Sequence, residues 1–236
     1  MKLILFLALF AQTAAQPTTS RLQERTFQIP DVAAPIPYGI SVPLVYNPSR
    51  PRPLVLVLHP GRGGNEMVYY GSWFMRQIVL PALRNLDAIM VAPDSPTGGW
   101  ADPVAERAVM TLLQSVLKEY AIDRHRILVT GYSAGGRGTW FMSSRHADLF
   151  TAAIPMAAQA GDEPLDRLAT IPTYVIHSRD DERVPFGPAE QRALELEKLG
   201  RDVRFEALQG PRHSEMGGYV DALRRAGRWI SDRWAK

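Results

Sequence analysis

The chain contains no cysteine. That excludes a disulfide framework, a thiolate nucleophile, a cysteine-built metal site and a lipid anchor on cysteine, so packing alone must hold the fold. It also lacks an apolar run of the roughly 20 residues needed to span a bilayer. The segment Leu3 to Ala11, preceded by Lys2 and followed by small and polar residues through Ala15 and Gln16, reads instead as a secretory leader over residues 1–15. A secreted or periplasmic protein with no stable membrane anchor is expected. There is no marked excess of charge of either sign: 27 Lys and Arg face 24 Asp and Glu, a formal net of +3. Arg224, Arg225, Arg228 and Arg233 cluster near the C-terminus, but Glu215, Asp221 and Asp232 share that region. A solvated helix face accounts for them without a nucleic-acid partner. Asp94 and Asp102 show no ligand spacing with any histidine, so neither a metal nor a cofactor is expected.

What is present fits one globular domain: 236 residues, 46% hydrophobic and 22% charged, with no internal repeat and no dividing linker. After the leader, residues 16–24 read as a loose arm and 25–236 as the domain. Arg25 to Ile29 and Gly39 to Tyr46 read as an edge hairpin. Leu54-Val55-Leu56-Val57-Leu58 is apolar throughout, as a parallel strand covered on both faces must be, and Ala88–Val91, Ile127–Val129, Ala152–Ile154 and Thr173–Ile176 repeat the pattern. Val203–Leu208 supplies a last strand. Helical spacing marks Glu66–Asn85, Pro103–Tyr120, Ala134–His146, Pro188–Leu199 and Met216–Trp234. Strands alternating with helices predict a mostly parallel sheet wrapped on both faces. Residues 157–172 are too few for a cap domain.

The chemistry centres on Gly131-Tyr132-Ser133-Ala134-Gly135-Gly136, which sits between a strand and a helix. Glycines flank the serine where a sharp turn leaves no room for a Cβ. A serine hydroxyl is a poor nucleophile at neutral pH and needs a base, itself oriented by a carboxylate. Downstream, in the required order, lie Asp181 and then His213, each in a loop at the carboxyl end of a strand. Asp180 competes with Asp181, and neighbouring side chains in an extended loop point apart, so one of the two faces His213. His125 and His146 read as surface residues, His59 and His177 as hydrogen-bonded structural groups. Acyl transfer also needs donors for the developing oxyanion. The amide of Ala134 is one; the loop His59-Pro60-Gly61-Arg62-Gly63-Gly64 supplies the other, from Gly61 or, preferably, Arg62, since Pro60 has no N–H. Trp100, in the loop after the next strand, reads either as a substrate-binding wall or as a core anchor.

These residues together resemble the α/β-hydrolase superfamily, and within it the secreted esterases grouped with polyhydroxybutyrate depolymerases and feruloyl and acetylxylan esterases, with prolyl-oligopeptidase-like peptidases as near relatives. The carriers are the His59–Gly64 loop, Gly98-Gly99-Trp100, the Gly131–Gly136 turn, Gly138-Thr139-Trp140, Asp181-Glu182-Arg183-Val184-Pro185 and His213. The resemblance implies an α/β-hydrolase fold with an eight-stranded, mostly parallel sheet, helices on both faces and no cap. It also implies a Ser133 nucleophile, Asp181 acid and His213 base acting on a small or polymer-borne ester. Cleavage of peptides, or a binding module without chemistry, are the competing expectations. The chain departs from many relatives in having Pro60 between His59 and Gly61, and in carrying Arg212 before His213, a cation able to influence substrate charge preference.

Overall fold

The computed structural model describes residues 20–30 and 32–236. The leader expected over residues 1–15 lies outside them. An eight-stranded sheet runs in the order β1-β2-β4-β3-β5-β6-β7-β8. Its strands are β1 (Ser20–Phe27), β2 (Ile36–Pro43), β3 (Arg52–Leu58), β4 (Ile89–Pro93), β5 (Ile122–Tyr132), β6 (Ala152–Met156), β7 (Thr173–Ser178) and β8 (Val203–Leu208). β2 is antiparallel to β1 and to β4, and every other neighbouring pair is parallel.

The uninterrupted apolar strands now have their reason. Leu54, Leu56 and Leu58 of β3 pack on one face with Val109, Leu112 and Met142, while Val55 and Val57 pack on the other with Phe74, Leu83 and Leu223. Side chains alternate across a strand, so a strand covered on both faces must be apolar at every position. The covering helices are α1 (Tyr70–Phe74), which passes through a π-turn at Met75–Val79 into α2 (Leu80–Leu83), then α3 (Pro103–Glu119), α4 (Ala134–Arg145), α5 (Phe186–Lys198) and α6 (Val220–Trp234). α3 starts at Asp102, whose carboxylate accepts from the amides of Val104 and Ala105 at 2.9 and 3.0 Å, with Pro103 in the first turn. The 157–172 segment holds only a single 3-10 turn, Leu165–Arg167, and no cap. No described helix is long and apolar enough to cross a membrane.

Three expectations need correction. Residues 20–24 are not a loose arm: they form the first part of β1, which pairs with β2 from Ser20↔Pro43 to Phe27↔Ile36. This strand lies at the sheet edge and is half-buried, so its polar sequence carries no core signature. β2 begins at Ile36 instead of Gly39, and Leu44 and Val45 fall in an exposed turn. The helix expected from Glu66 begins at Tyr70, after Gly63, Gly64 and Tyr69 take left-handed backbone conformations.

Candidate active site

Parallel strands β3, β5, β6 and β7 deliver their C-terminal loops to one edge of the sheet, the place where sites form in open α/β folds. Ser133 follows β5 directly and holds φ 54° and ψ −115°, a strained conformation for a residue with a side chain. Its neighbours explain how the turn closes. A Cβ on Gly135 would lie 1.9 Å from the Leu58 carbonyl oxygen, and one on Gly131 would lie 2.4 Å from the carbonyl oxygen of Gly135. The backbones of β3, β5 and α4 are therefore in contact, and only glycine fits between them.

His213 reaches this serine from the loop after β8. Its Nε2 is 2.8 Å from Ser133 Oγ, and its Nδ1 is 2.7 Å from Asp181 Oδ2. Asp181, not Asp180, faces the imidazole. The Asp181 side chain is fully buried, whereas Asp180 is exposed and accepts from the Gly210 amide at 2.6 Å. The other oxygen of Asp181 accepts from the amides of Arg183 and Val184 at 3.0 and 2.8 Å. Burial pushes its pKa up, but the hydrogen bonds from His213, Val184 and Arg183 outweigh this and hold it below the ordinary aspartate value. A carboxylate so held stays ionised at neutral pH and accepts from Nδ1–H, which leaves Nε2 free to take a proton from the hydroxyl.

Residues not singled out from sequence fix His213 in place. Tyr132 donates its hydroxyl to the His213 carbonyl at 2.9 Å, and the His213 amide donates to Glu182 Oε2 at 3.0 Å. Tyr219 lies edge-on to Tyr132, with ring centroids 4.9 Å apart, and accepts from the Ser178 amide at 3.0 Å. Burial pushes the Tyr132 phenol up and the Tyr219 phenol up to about 12, so both stay neutral. The pattern gives no sign of these roles, because a hydroxyl bonded to a distant main-chain group leaves no periodic trace.

The remaining histidines are structural where expected. The Ser95 amide donates to His59 Nε2 at 3.0 Å, so Nδ1 carries the proton and donates to the Pro60 carbonyl at 2.6 Å. His177 is buried at the end of β7, where its Nε2 donates to the Val184 carbonyl at 3.0 Å, bracing the Asp181 loop. His146 lies beside Glu106 at 2.8 Å, far in the fold from Ser133 and partly buried.

Trp100 is a core anchor and not a substrate wall. It is 2% exposed, its indole N–H donates to the His59 carbonyl at 2.9 Å, and its Cβ lies 2.3 Å from where a Cβ on Gly138 would fall, leaving no room for one. The Gly61–Arg62 loop does lie beside the Ser133–Ala134 turn, since a Cβ on Gly61 would sit 3.7 Å from that of Ala134. The Arg62 side chain turns away to pair with the buried Asp94 at 2.9 Å, and Asp94 also accepts from the Gly71 amide at 2.8 Å. Arg62 thus ties the Gly61–Arg62 loop to Asp94. Ser133 and Ala134 open onto a cavity of about 390 Å³ lined by Arg137, Gln159, Arg183, Val184 and Pro185 among others. Among the described residues no cluster of His, Asp and Glu has the form of a metal site.

No protein-family model matches the chain. Feruloyl esterase C of Emericella nidulans is 27% identical over 158 residues, 63% of this chain and 56% of that protein. The chain thus spans little more than half the length of that relative. Among solved structures, a thermostable esterase superposes with a TM-score of 0.76 at 27% identity, over 89% of this chain and 62% of the esterase. A ferulic acid esterase superposes with a TM-score of 0.73 at 18% identity, over 90% and 98%. Sheet order, the strained serine turn and these superpositions together identify the chain as having the α/β-hydrolase fold.

Proposed function

We propose that the protein is an exported serine hydrolase that cleaves carboxylic esters through an acyl-enzyme. The observation that carries this is the unbroken relay from Asp181 through His213 to Ser133, at 2.7 and 2.8 Å, on the rim of an open cavity. Ser133 Oγ attacks the ester carbonyl as Nε2 of His213 takes its proton, and Asp181 stabilises the imidazolium that forms. The Ala134 amide, at the start of α4 where no helical acceptor exists for it, and the Arg62 or Gly61 amide stabilise the oxyanion. His213 then protonates the departing alkoxide, and a water, deprotonated in turn by His213, releases the acid.

The likeness to feruloyl esterase C supports an aromatic acyl ester as the substrate class. The described residues form no cap over the cavity, which suits an ester projecting from a polymer. Fluorophosphonate labelling tests the nucleophile: the wild type reacts and Ser133→Ala does not. Equal labelling of both would remove Ser133 from the mechanism. Methyl ferulate, short p-nitrophenyl esters and peptide amides, compared side by side, separate the aromatic esterase from an aliphatic esterase or a peptidase.

A further inference from the structure

The cavity beside Ser133 is lined by two arginines and, among the described residues, by no carboxylate. The two guanidiniums are in different states. Arg137, in the first turns of α4, donates to Glu163 Oε1 at 2.6 Å, and a Cβ on Gly161 would fall 1.8 Å from its Nη2. It is neutralised and wedged against the backbone. Arg183 is exposed and forms no ion pair among the described residues. Its backbone is nonetheless fixed, because its amide donates to Asp181 at 3.0 Å, two residues from the carboxylate that orients His213.

The acids nearest in sequence do not cancel this charge. Asp181 is turned to His213, and Glu182 accepts from the His213 amide and lies 3.9 Å from Arg212. Across the cavity Gln159 donates to the Pro185 carbonyl at 3.0 Å, which closes that wall with a neutral amide. An uncompensated cation on the lining of that pocket attracts a negative charge on whatever occupies it.

Resting on the ester-cleaving reading of Ser133, the geometry points to a preference for anionic esters: the half of the substrate seated in this cavity carries a carboxylate, recognised by Arg183. The class is a half-ester of a dicarboxylic acid if the acyl group lies there, or an ester of a carboxylate-bearing alcohol, such as a uronic acid unit, if the leaving group does. Arg183 does not touch the reacting atoms and sets specificity alone.

Two matched pairs decide it: p-nitrophenyl hemiglutarate against p-nitrophenyl valerate for the acyl half, and 4-acetoxybenzoate against its methyl ester for the alcohol half. One pair favours its anionic member in kcat/KM by on the order of fivefold at low salt, the span expected for a partly exposed ion pair, and the preference shrinks as added salt screens it. Arg183→Gln brings that ratio toward one, Arg183→Lys keeps most of it, and Arg183→Glu inverts it. Arg76→Gln, an equal charge change at an exposed site on the π-turn, leaves the ratio as in the wild type. Hydrolysis of neutral esters with no anionic preference in either pair, or a ratio indifferent to Arg183→Gln, overturns the inference alone. Absence of hydrolysis of every ester, or hydrolysis that survives Ser133→Ala, overturns the ester reading and this inference with it.

Discussion

Replacing Asp181 by asparagine is the sharpest test of the relay, because the change is nearly isosteric and its consequence follows from the hydrogen bonds already present. One oxygen of Asp181 accepts from two backbone amides, those of Arg183 and Val184. An asparagine must therefore keep its carbonyl oxygen on that side and turn its NH2 toward His213. That NH2 cannot accept, so Nδ1 must give up its proton, and Nε2–H then faces Ser133 Oγ across 2.8 Å. The base has become a donor. Serine-hydrolase triads with the wrong tautomer lose about 10⁴-fold in kcat, or about 5.5 kcal/mol of transition-state stabilisation, with little change in KM. Asp180→Asn alters only an exposed carboxylate bonded to the Gly210 amide, and its expected loss is less than about tenfold, the scale of a single surface hydrogen bond. The assay is steady-state hydrolysis of p-nitrophenyl acetate, with thermal unfolding alongside to show that both variants fold. An Asp181→Asn enzyme within tenfold of the wild type, or an Asp180→Asn enzyme worse than it, refutes the reasoning.

Two other outcomes follow from the same network. Tyr132→Phe leaves the His213 carbonyl without its buried donor, so the variant should lose about 1–2 kcal/mol of stability and lower kcat more than it raises KM; kinetics equal to the wild type at unchanged stability would show that the phenol does not hold the loop. His59 is fully buried, and burial lowers its pKa from 6.5 to about 4, against the opposing pull of its bond to Pro60. The folded chain therefore refuses a proton that the unfolded chain accepts, so stability is intact above pH 6.5 and falls as the pH drops from 6.5 to about 4, by up to about 3 kcal/mol. Urea midpoints across that window should fall less steeply for His59→Gln, and parallel slopes for the two proteins would remove His59 as the cause.

Much of this fold and site is legible in the sequence because its physics is local. Apolar runs such as Leu54–Leu58 can only be buried on both faces, and the glycines around Ser133 announce a turn in which backbones touch. The resemblance favours Asp181 over its neighbour Asp180, and the loop geometry agrees, turning the first carboxylate inward to His213 and the second toward Gly210. What escaped depends on partners distant in the chain. β1 is polar because it stands at an edge, so its pairing with β2 leaves no hydrophobic pattern. Trp100 offers an amphipathic ring that suits a pocket wall or a core equally, and only the His59 carbonyl and the missing Cβ of Gly138 decide between them. The neutralisation of Arg137 likewise depends on where Glu163 falls, which no spacing rule gives.

The contact between the serine hydroxyl and the imidazole acquires a use from the chain's lack of sulfur in any cysteine. A Ser133→Cys protein would hold one thiol, at the tip of the strained turn and a hydrogen bond from Nε2, with no competing sulfhydryl anywhere. Its ultraviolet thiolate absorbance would then report the proton's position between sulfur and ring directly, free of background, and alkylation would count intact sites one per molecule.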